Sequence, residues 1–161
     1  MVSEKEIWAL LEEVSDPEIP VLTVVDLGVI RNVAIEGSHV QVTITPTYSG
    51  CPAMKLIEEQ IKEKLNEKGI MDVGVNLVLS PAWTTDWLTE SGKNKLREYG
   101  IAPPENEVDK SVLFSAPTVV PCPKCASKNT RMVSLFGSTA CKAHYQCKEC
   151  LEPFDYFKCL R

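Results

Sequence analysis

Histidine is almost missing from this chain of 161 residues, which holds only His39 and His144. Catalysis through a Ser/His/Asp or Cys/His set therefore has little to draw on, and no such set is evident. There is no glycine-rich phosphate loop. Long apolar runs are also missing: none approaches the roughly 20 residues of a spanning helix, which excludes integral membrane insertion. The opening residues, Met1 to Glu6, offer neither a basic start nor an apolar stretch. They do not read as a secretory signal, and the expected location is the cytoplasm. Positive charge is in deficit, with a net charge of −5. That balance disfavours broad binding to nucleic acid or to an anionic membrane.

What is present is a globular composition, 44% hydrophobic and 24% charged, with seven cysteines placed very unevenly. Cys51 stands alone, while Cys122, Cys125, Cys141, Cys147, Cys150 and Cys159 crowd the last 40 residues. An odd count without a secretory signal argues against a disulfide framework and for metal binding. Charge divides at the same place. Residues 1–102 carry 9 Lys/Arg against 16 Asp/Glu, residues 103–120 carry 1 against 3, and residues 121–161 carry 7 against 3. Two modules joined by a proline-rich linker over 103–120 is the natural reading, since Pro103-Pro104 cannot donate to a helix or a ladder.

The first module, residues 1–102, reads as a small two-layer α/β (α+β) domain of order αββαβα. Ser3 and Glu6 form a capping box ahead of Ile7, Leu10, Leu11 and Val14 at helical spacing. That helix is expected to stop at Asp16-Pro17. Residues 28–35 and the alternating Val40, Val42 and Ile44 predict a hairpin turning at Glu36-Gly37-Ser38. A second helix is expected from Cys51-Pro52, with Met54, Ile57, Ile61 and Leu65 inward and Gly69 as its C-terminal cap. A strand over 73–79 and a helix over about 85–98, burying Trp87, Leu88 and Leu96, complete the module.

Cys122-Pro123-Lys124-Cys125 and Cys147-Lys148-Glu149-Cys150 are two C-x2-C pairs, and each can aim two thiolates at one tetrahedral metal. Forty residues bury too little apolar surface to fold alone, so a structural zinc ion held by Cys122, Cys125, Cys147 and Cys150 is expected over 121–161. An iron site is the alternative. Phe136, Tyr145, Phe154, Tyr156 and Phe157 should form the apolar shell. Four thiolates leave no open coordination position, which disfavours catalytic zinc. Cys141 and Cys159 are left as buried small residues, alternative ligands or redox partners, and His144 as a surface or packing residue.

Chemistry outside the ribbon centres on Cys51, which ends the loop from Thr45 and opens a helix. Helix N–H groups and the dipole favour a thiolate there, so Cys51 is a candidate reactive or metal-binding residue, with a capping or packing role as the alternative. Asp16 and Glu18 could approach it if both loops lie at one end of the sheet. Asp26 could do the same, or could serve as a cap.

The stretch from Asp16-Pro17-Glu18-Ile19-Pro20 to Arg31 resembles the opening of the SufT-like iron–sulfur assembly domain. Thr45-Pro46-Thr47-Tyr48-Ser49-Gly50-Cys51-Pro52-Ala53 resembles that domain's single-cysteine loop. Together with Thr84-Thr85-Asp86-Trp87, Phe136-Gly137-Ser138-Thr139-Ala140-Cys141-Lys142 and Phe154-Asp155-Tyr156-Phe157-Lys158-Cys159, the whole chain is similar to the PaaD (PaaJ) family of the phenylacetyl-CoA epoxidase system. The resemblance implies an accessory subunit that matures or repairs metal centres. It implies Cys51 as a transient iron or iron–sulfur ligand, with Asp16 as a neighbour. Implied partners are other subunits of the phenylacetyl-CoA oxygenase complex or another iron-containing client, with a homodimer to share ligands, since one thiolate cannot hold a cluster. No Glu-x-x-His pair for a di-iron site and no flavin or nicotinamide fingerprint is present, so the chain is not expected to catalyse epoxidation itself. A thiol enzyme or carrier acting through Cys51, and a ribbon serving as an interaction module, are the other readings, with nucleic acid the least favoured partner.

Overall fold

The computed structural model describes residues 2–47, 50–103, 119–137 and 142–157. The expectations for residues 104–118 of the linker, for Cys141 and for Cys159 lie outside them. The chain forms two compact units, Met1–Trp83 with Trp87–Gly92, and Thr84–Asp86 with Lys93–Arg161.

In the first unit, α1 (Glu4–Leu11) starts on the expected capping box. The Ser3 N–H donates to Glu6 Oε2 at 2.7 Å, and Glu6 N–H to Ser3 Oγ at 3.3 Å. Ile7 and Leu11 are fully buried. The helix ends at Leu11, short of Asp16-Pro17, because residues 14–16 find other partners. Val24 N–H donates to Val14 O at 2.9 Å, Asp16 N–H donates to Leu22 O at 2.8 Å, and Ser15 bridges Thr23. Val14 is buried, as its spacing predicted, but from this small hairpin rather than from the helix.

β1 (Ile30–Glu36) and β2 (His39–Ile44) pair antiparallel around Gly37, whose φ is +64°. α2 (Ala53–Glu67) then crosses to β3 (Val73–Leu77), which runs parallel to β2, giving the sheet order β1-β2-β3. Met54, Ile57, Ile61 and Leu65 are the buried stripe, as their spacing required. Burying each such side chain stabilises by about 1.5–3 kcal/mol. Lys64 on α2 pairs with Glu13 just after α1. β3 ends at Leu77, two residues early, and Leu79 is exposed.

The expected helix over 85–98 is two pieces. A 3-10 turn at Thr85–Trp87 precedes α3 (Glu90–Tyr99), and Thr89 caps α3 by accepting from Gly92 N–H at 2.9 Å.

The second unit holds the sheet β4-β7-β6-β5, built from β4 (Ile101–Ala102), β5 (Thr130–Ser134), β6 (Lys142–Cys147) and β7 (Pro153–Phe157). β6 pairs antiparallel with both β5 and β7, and β4 pairs parallel with β7. One face is the core: Ala102, Val120, Ala143, Tyr145, Phe154 and Tyr156 pack with Cys122 and Cys147. Tyr145 stacks on Phe154 at 5.8 Å and meets Tyr156 edge-on at 5.7 Å. Phe157 is buried, but Phe136, expected in this shell, is 55% exposed because it follows the end of β5 rather than lying in the sheet.

Candidate functional site

The two C-x2-C segments fold as matching knuckles. In the first, Ala126 N–H donates to Cys122 O and Cys122 N–H to Ser127 O, both at 2.9 Å. In the second, Cys147 N–H donates to Glu152 O at 3.0 Å. Each knuckle is followed by a left-handed residue, Ala126 at φ +61° and Leu151 at φ +64°. Lys148 N–H donates to Asn129 O at 2.8 Å, and Asn129 Nδ2 donates to Glu149 at 2.8 Å, tying the knuckles together.

The result brings Cys122, Cys125, Cys147 and Cys150 into one cluster, their four sulfurs all within 4.8 Å of one another. Cys122 Sγ lies 3.7 Å from Cys150 Sγ, and Cys125 Sγ lies 3.5 Å from Cys147 Sγ. A tetrahedron with bonds of about 2.3 Å to zinc has edges of about 3.8 Å, so the donor set fits that ion. Cys122 and Cys147 sit in the core while Cys125 and Cys150 face outward. The Cys147 thiol is lowered to about 7, chiefly by the N–H of Cys150. The N–H of Glu152 favours a thiolate at Cys150, yet desolvation and the neighbouring sulfurs outweigh it and push Cys150 up to about 12. Four crowded sulfurs resist joint ionisation, and a bound dication removes that obstacle. His144 sits apart from this set, its Nδ1 3.5 Å from Asp155 Oδ1.

Asp16 and Cys51 belong to the first unit. Asp16 is buried, and its Oδ1 accepts from Glu18 N–H at 2.8 Å and Ile19 N–H at 2.9 Å, so its carboxylate organises the Asp16-Pro17-Glu18-Ile19-Pro20 turn. Glu18 is half-buried on the same turn. Cys51 is half-buried just ahead of α2, whose N-cap is Pro52, one position earlier in the helix frame than expected. Both loops arise at one end of the sheet, where β1 begins and β2 ends. There Thr45 N–H donates to Val29 O, Val29 N–H to Val24 O, and Val24 N–H to Val14 O.

Asp26 takes the capping role. Its Oδ2 accepts from Thr23 N–H at 3.2 Å, its Oδ1 from the Thr89 hydroxyl at 3.2 Å, and its carbonyl from Thr89 N–H at 3.0 Å. Three features that sequence reasoning did not single out complete this end of the unit. Trp83 is buried and donates its indole N–H to Leu27 O at 2.7 Å. The Arg31 guanidinium lies 3.5 Å over the Trp87 ring, a cation–π contact. Thr45 is 1% exposed, and its hydroxyl finds no hydrogen-bond partner among the described residues.

The two modules match two family models, "Iron-sulfur cluster assembly protein" over residues 4–77 and "PaaD zinc beta ribbon domain" over residues 106–158. A protein of Escherichia coli (strain K12), named as a subunit of 1,2-phenylacetyl-CoA epoxidase, is 53% identical over 96% of this chain and 92% of its own length. The chain belongs to the PaaD family of phenylacetyl-CoA epoxidase subunits. Its first module has wider kin than the PaaD family. An Fe-S protein maturation auxiliary factor of Porphyromonas gingivalis is 38% identical over 58% of this chain and 90% of its own. The crystal structure of a domain of unknown function (DUF59) from Bacillus anthracis matches with a TM-score of 0.54 and 31% identity, covering 58% of this chain and 90% of that one. This chain thus joins a domain shared with these relatives to a segment matched to the PaaD zinc beta ribbon model. No helix among the described residues is long and apolar enough to cross a membrane.

Proposed function

We propose that this protein is an accessory factor for maturation or repair of the metal centre of a multicomponent phenylacetyl-CoA oxygenase, without catalytic activity of its own. Cys51 presents iron or an iron–sulfur unit as cargo, with Asp16 shaping the adjacent loop. Cys122, Cys125, Cys147 and Cys150 hold a structural zinc ion whose chemistry is to cross-link the ribbon, and the ribbon docks the client. The observation that carries this reading is the separation of two kinds of sulfur. Four are gathered into one site with no position left for a substrate. Cys51, the remaining cysteine among the described residues, stands at a helix entrance inside the segment matched to an iron–sulfur cluster assembly family.

The names of the relatives support the same reading. A protein similar along nearly the whole chain is named as part of the epoxidase, and relatives of the first module are named as Fe-S maturation auxiliary factors. One thiolate cannot hold a cluster alone, so the cargo is shared with a second copy in a homodimer or with the client. The protein works in the cytoplasm, where its thiols stay reduced.

Metal analysis and anaerobic absorption spectra of wild type and Cys51→Ser test the proposal. One zinc per chain in both, with iron-dependent absorption and client iron loading only in wild type, is the expected result. Client loading unchanged in Cys51→Ser overturns it.

A further inference from the structure

β3 is the last strand of its sheet, and the bonds at its two ends show which of its backbone groups face β2. Val40 N–H donates to Asp72 O and Val78 N–H to Ile44 O, both at 2.9 Å. Bonding to a neighbouring strand alternates along a strand, so the even-numbered residues face β2. Val73, Val75 and Leu77 therefore turn their N–H and C=O groups to the open edge, where nothing among the described residues pairs with them. The other edges are guarded. β1 carries exposed Arg31 and Glu36 and a register shift between Ile30 and Asn32. β5 carries exposed Arg131 and a shift between Met132 and Ser134, and β4 is only Ile101–Ala102. Over residues 73–80 the β3 edge has neither a charge nor a proline. An uncovered apolar edge of this kind is a template for another strand.

The side chains point to the occupant. Val73, Val75 and Leu77 stand in register beside buried Val40, Val42 and Ile44, on the core face of the sheet. Met71 and Leu79 continue the alternation at either end, and Met71, Leu77 and Leu79 are 76%, 50% and 59% exposed. The row is apolar read from either direction, which is the self-complementarity an isologous interface needs. Turned about a two-fold at Val75, it sets Val75 against its own copy, Val73 against the partner's Leu77, and Met71 against the partner's Leu79. Val73, Val75 and Leu77 are also the residues whose backbone groups face outward, so these pairs exchange both N–H···O bonds, as an antiparallel ladder requires. No like charges meet along the row, which matters when residues 1–102 carry 9 Lys/Arg against 16 Asp/Glu.

We infer that β3 pairs antiparallel with β3 of a second copy about that two-fold, joining the two sheets into one. The pairing goes beyond the proposed function, and one consequence rests on that reading. Ile44 pairs with Leu77, and the chain leaves β2 there toward Cys51. Antiparallel pairing carries the two Leu77 ends apart, so the two Cys51 loops lie at opposite ends of the joined sheet. The remaining ligands for the iron cargo then come from the client rather than from the second copy.

The test uses the full chain with zinc bound in the ribbon, studied by sedimentation equilibrium over a dilution series. Wild type is expected to form a dimer that dissociates on dilution. Leu77→Lys places in the row the residue that guards natural edges, and is expected to raise the dissociation constant by about tenfold or more with an unchanged circular dichroism spectrum. Met71→Lys and Leu79→Glu are each expected to weaken the dimer. The Met71→Lys, Leu79→Glu double variant is expected to recover it, because opposite charges then face each other across the two-fold. The two positions lie at opposite ends of one extended segment and cannot meet within a chain. A wild type that stays monomeric overturns the inference, including one whose β3 edge is taken by a client strand instead. So does a dimer untouched by Leu77→Lys, or a double variant no tighter than either single one. Iron-dependent absorption of Met71→Lys, altered at the end away from Cys51, separates the two readings. Absorption per chain is expected to survive weakening of the dimer, and its loss with the dimer overturns the antiparallel placement. Absence of Cys51-dependent absorption in wild type sinks the iron assignment and leaves the dimer standing.

Discussion

Gly28 sits with φ +71° directly against Trp87, and a Cβ built on it would lie 2.5 Å from the Trp87 carbonyl oxygen and 2.6 Å from its Cβ. Both constraints act at once. The left-handed backbone disfavours any residue but glycine, and the obstructing atom is main chain, which cannot swing aside. Gly28→Ala is expected to destabilise the first unit by more than about 2 kcal/mol, combining left-handed strain with overpacking. Urea denaturation followed by tryptophan fluorescence reads this directly. A midpoint within error of wild type would mean that Trp87 does not pack against Gly28.

Trp83 makes the companion contact. Trp83→Phe keeps most of the ring's volume but strips the Leu27 carbonyl of its buried donor, at a cost of about 1–3 kcal/mol. The same denaturation experiment checks it, and a neutral Trp83→Phe would show that water replaces the indole.

These two contacts also mark where the sequence stops being legible. Periodicity finds α2 because Met54, Ile57, Ile61 and Leu65 bury one stripe, and β2 because Val40, Val42 and Ile44 bury one face. The cluster of Cys122, Cys125, Cys147 and Cys150 can be foreseen because knuckle geometry is local, fixed by two residues between sulfurs. The Trp83–Leu27 bond joins residues 56 apart and has no period to reveal it. The end of α1 escapes periodicity for a related reason: Val14 keeps helical spacing, but its carbonyl is taken by Val24 N–H. Thr45 gives no signal either, since an alternating strand looks the same whether its last hydroxyl is solvated or enclosed. The glycine of Asp26-Leu27-Gly28 is visible as a residue, while its reason, the Trp87 backbone, is not.

Removal of metal should act on one half of the molecule. Zinc bound by four thiolates contributes on the order of 10 kcal/mol in small ribbons, which is more than their cores can supply. Chelation, or Cys147→Ser, is expected to abolish hydrogen-exchange protection in β5, β6 and β7 while α2 and β2 keep theirs. Loss of protection in α2 at the same chelator concentration would contradict two separately stable units.

Leu151 carries a different expectation. It is 67% exposed, at φ +64°, immediately after the second knuckle. Left-handed strain costs about 1–2 kcal/mol in a non-glycine residue, and an exposed side chain returns little burial against it. Leu151→Gly is expected to raise the stability of the zinc-bound ribbon by up to about 1 kcal/mol, after allowing for glycine's looser unfolded chain. Thermal melts of the full chain measure it. A clear loss of stability would show that the leucine side chain packs where the structure leaves it open.

The pair His39–Asp72 gives the pH dependence. His39 Nδ1 lies 2.8 Å from Asp72 Oδ1, and Nε2 lies 3.2 Å from Gln41 Oε1, with Gly74 beneath, where a Cβ would lie 2.5 Å from that same oxygen. The Asp72 hydrogen bond first, then Gln41, hold the imidazolium above its ordinary value of 6.5, and the charge of Glu36 adds to this. A group whose pKa is raised by folding stabilises most when protonated in both states. The contribution is therefore complete below about 6.5 and fades as pH climbs through the folded value. Asp72→Asn removes the charge that sustains it but leaves the Val40 N–H bond to the Asp72 backbone carbonyl, which joins β2 to the approach of β3 at 2.9 Å. The gap in urea midpoint between wild type and Asp72→Asn should be widest near about pH 5.5 and narrow toward about pH 8.5, as the histidine becomes neutral in both. A gap that stays constant, or widens with rising pH, would assign the effect of Asp72 to something other than its bond to His39.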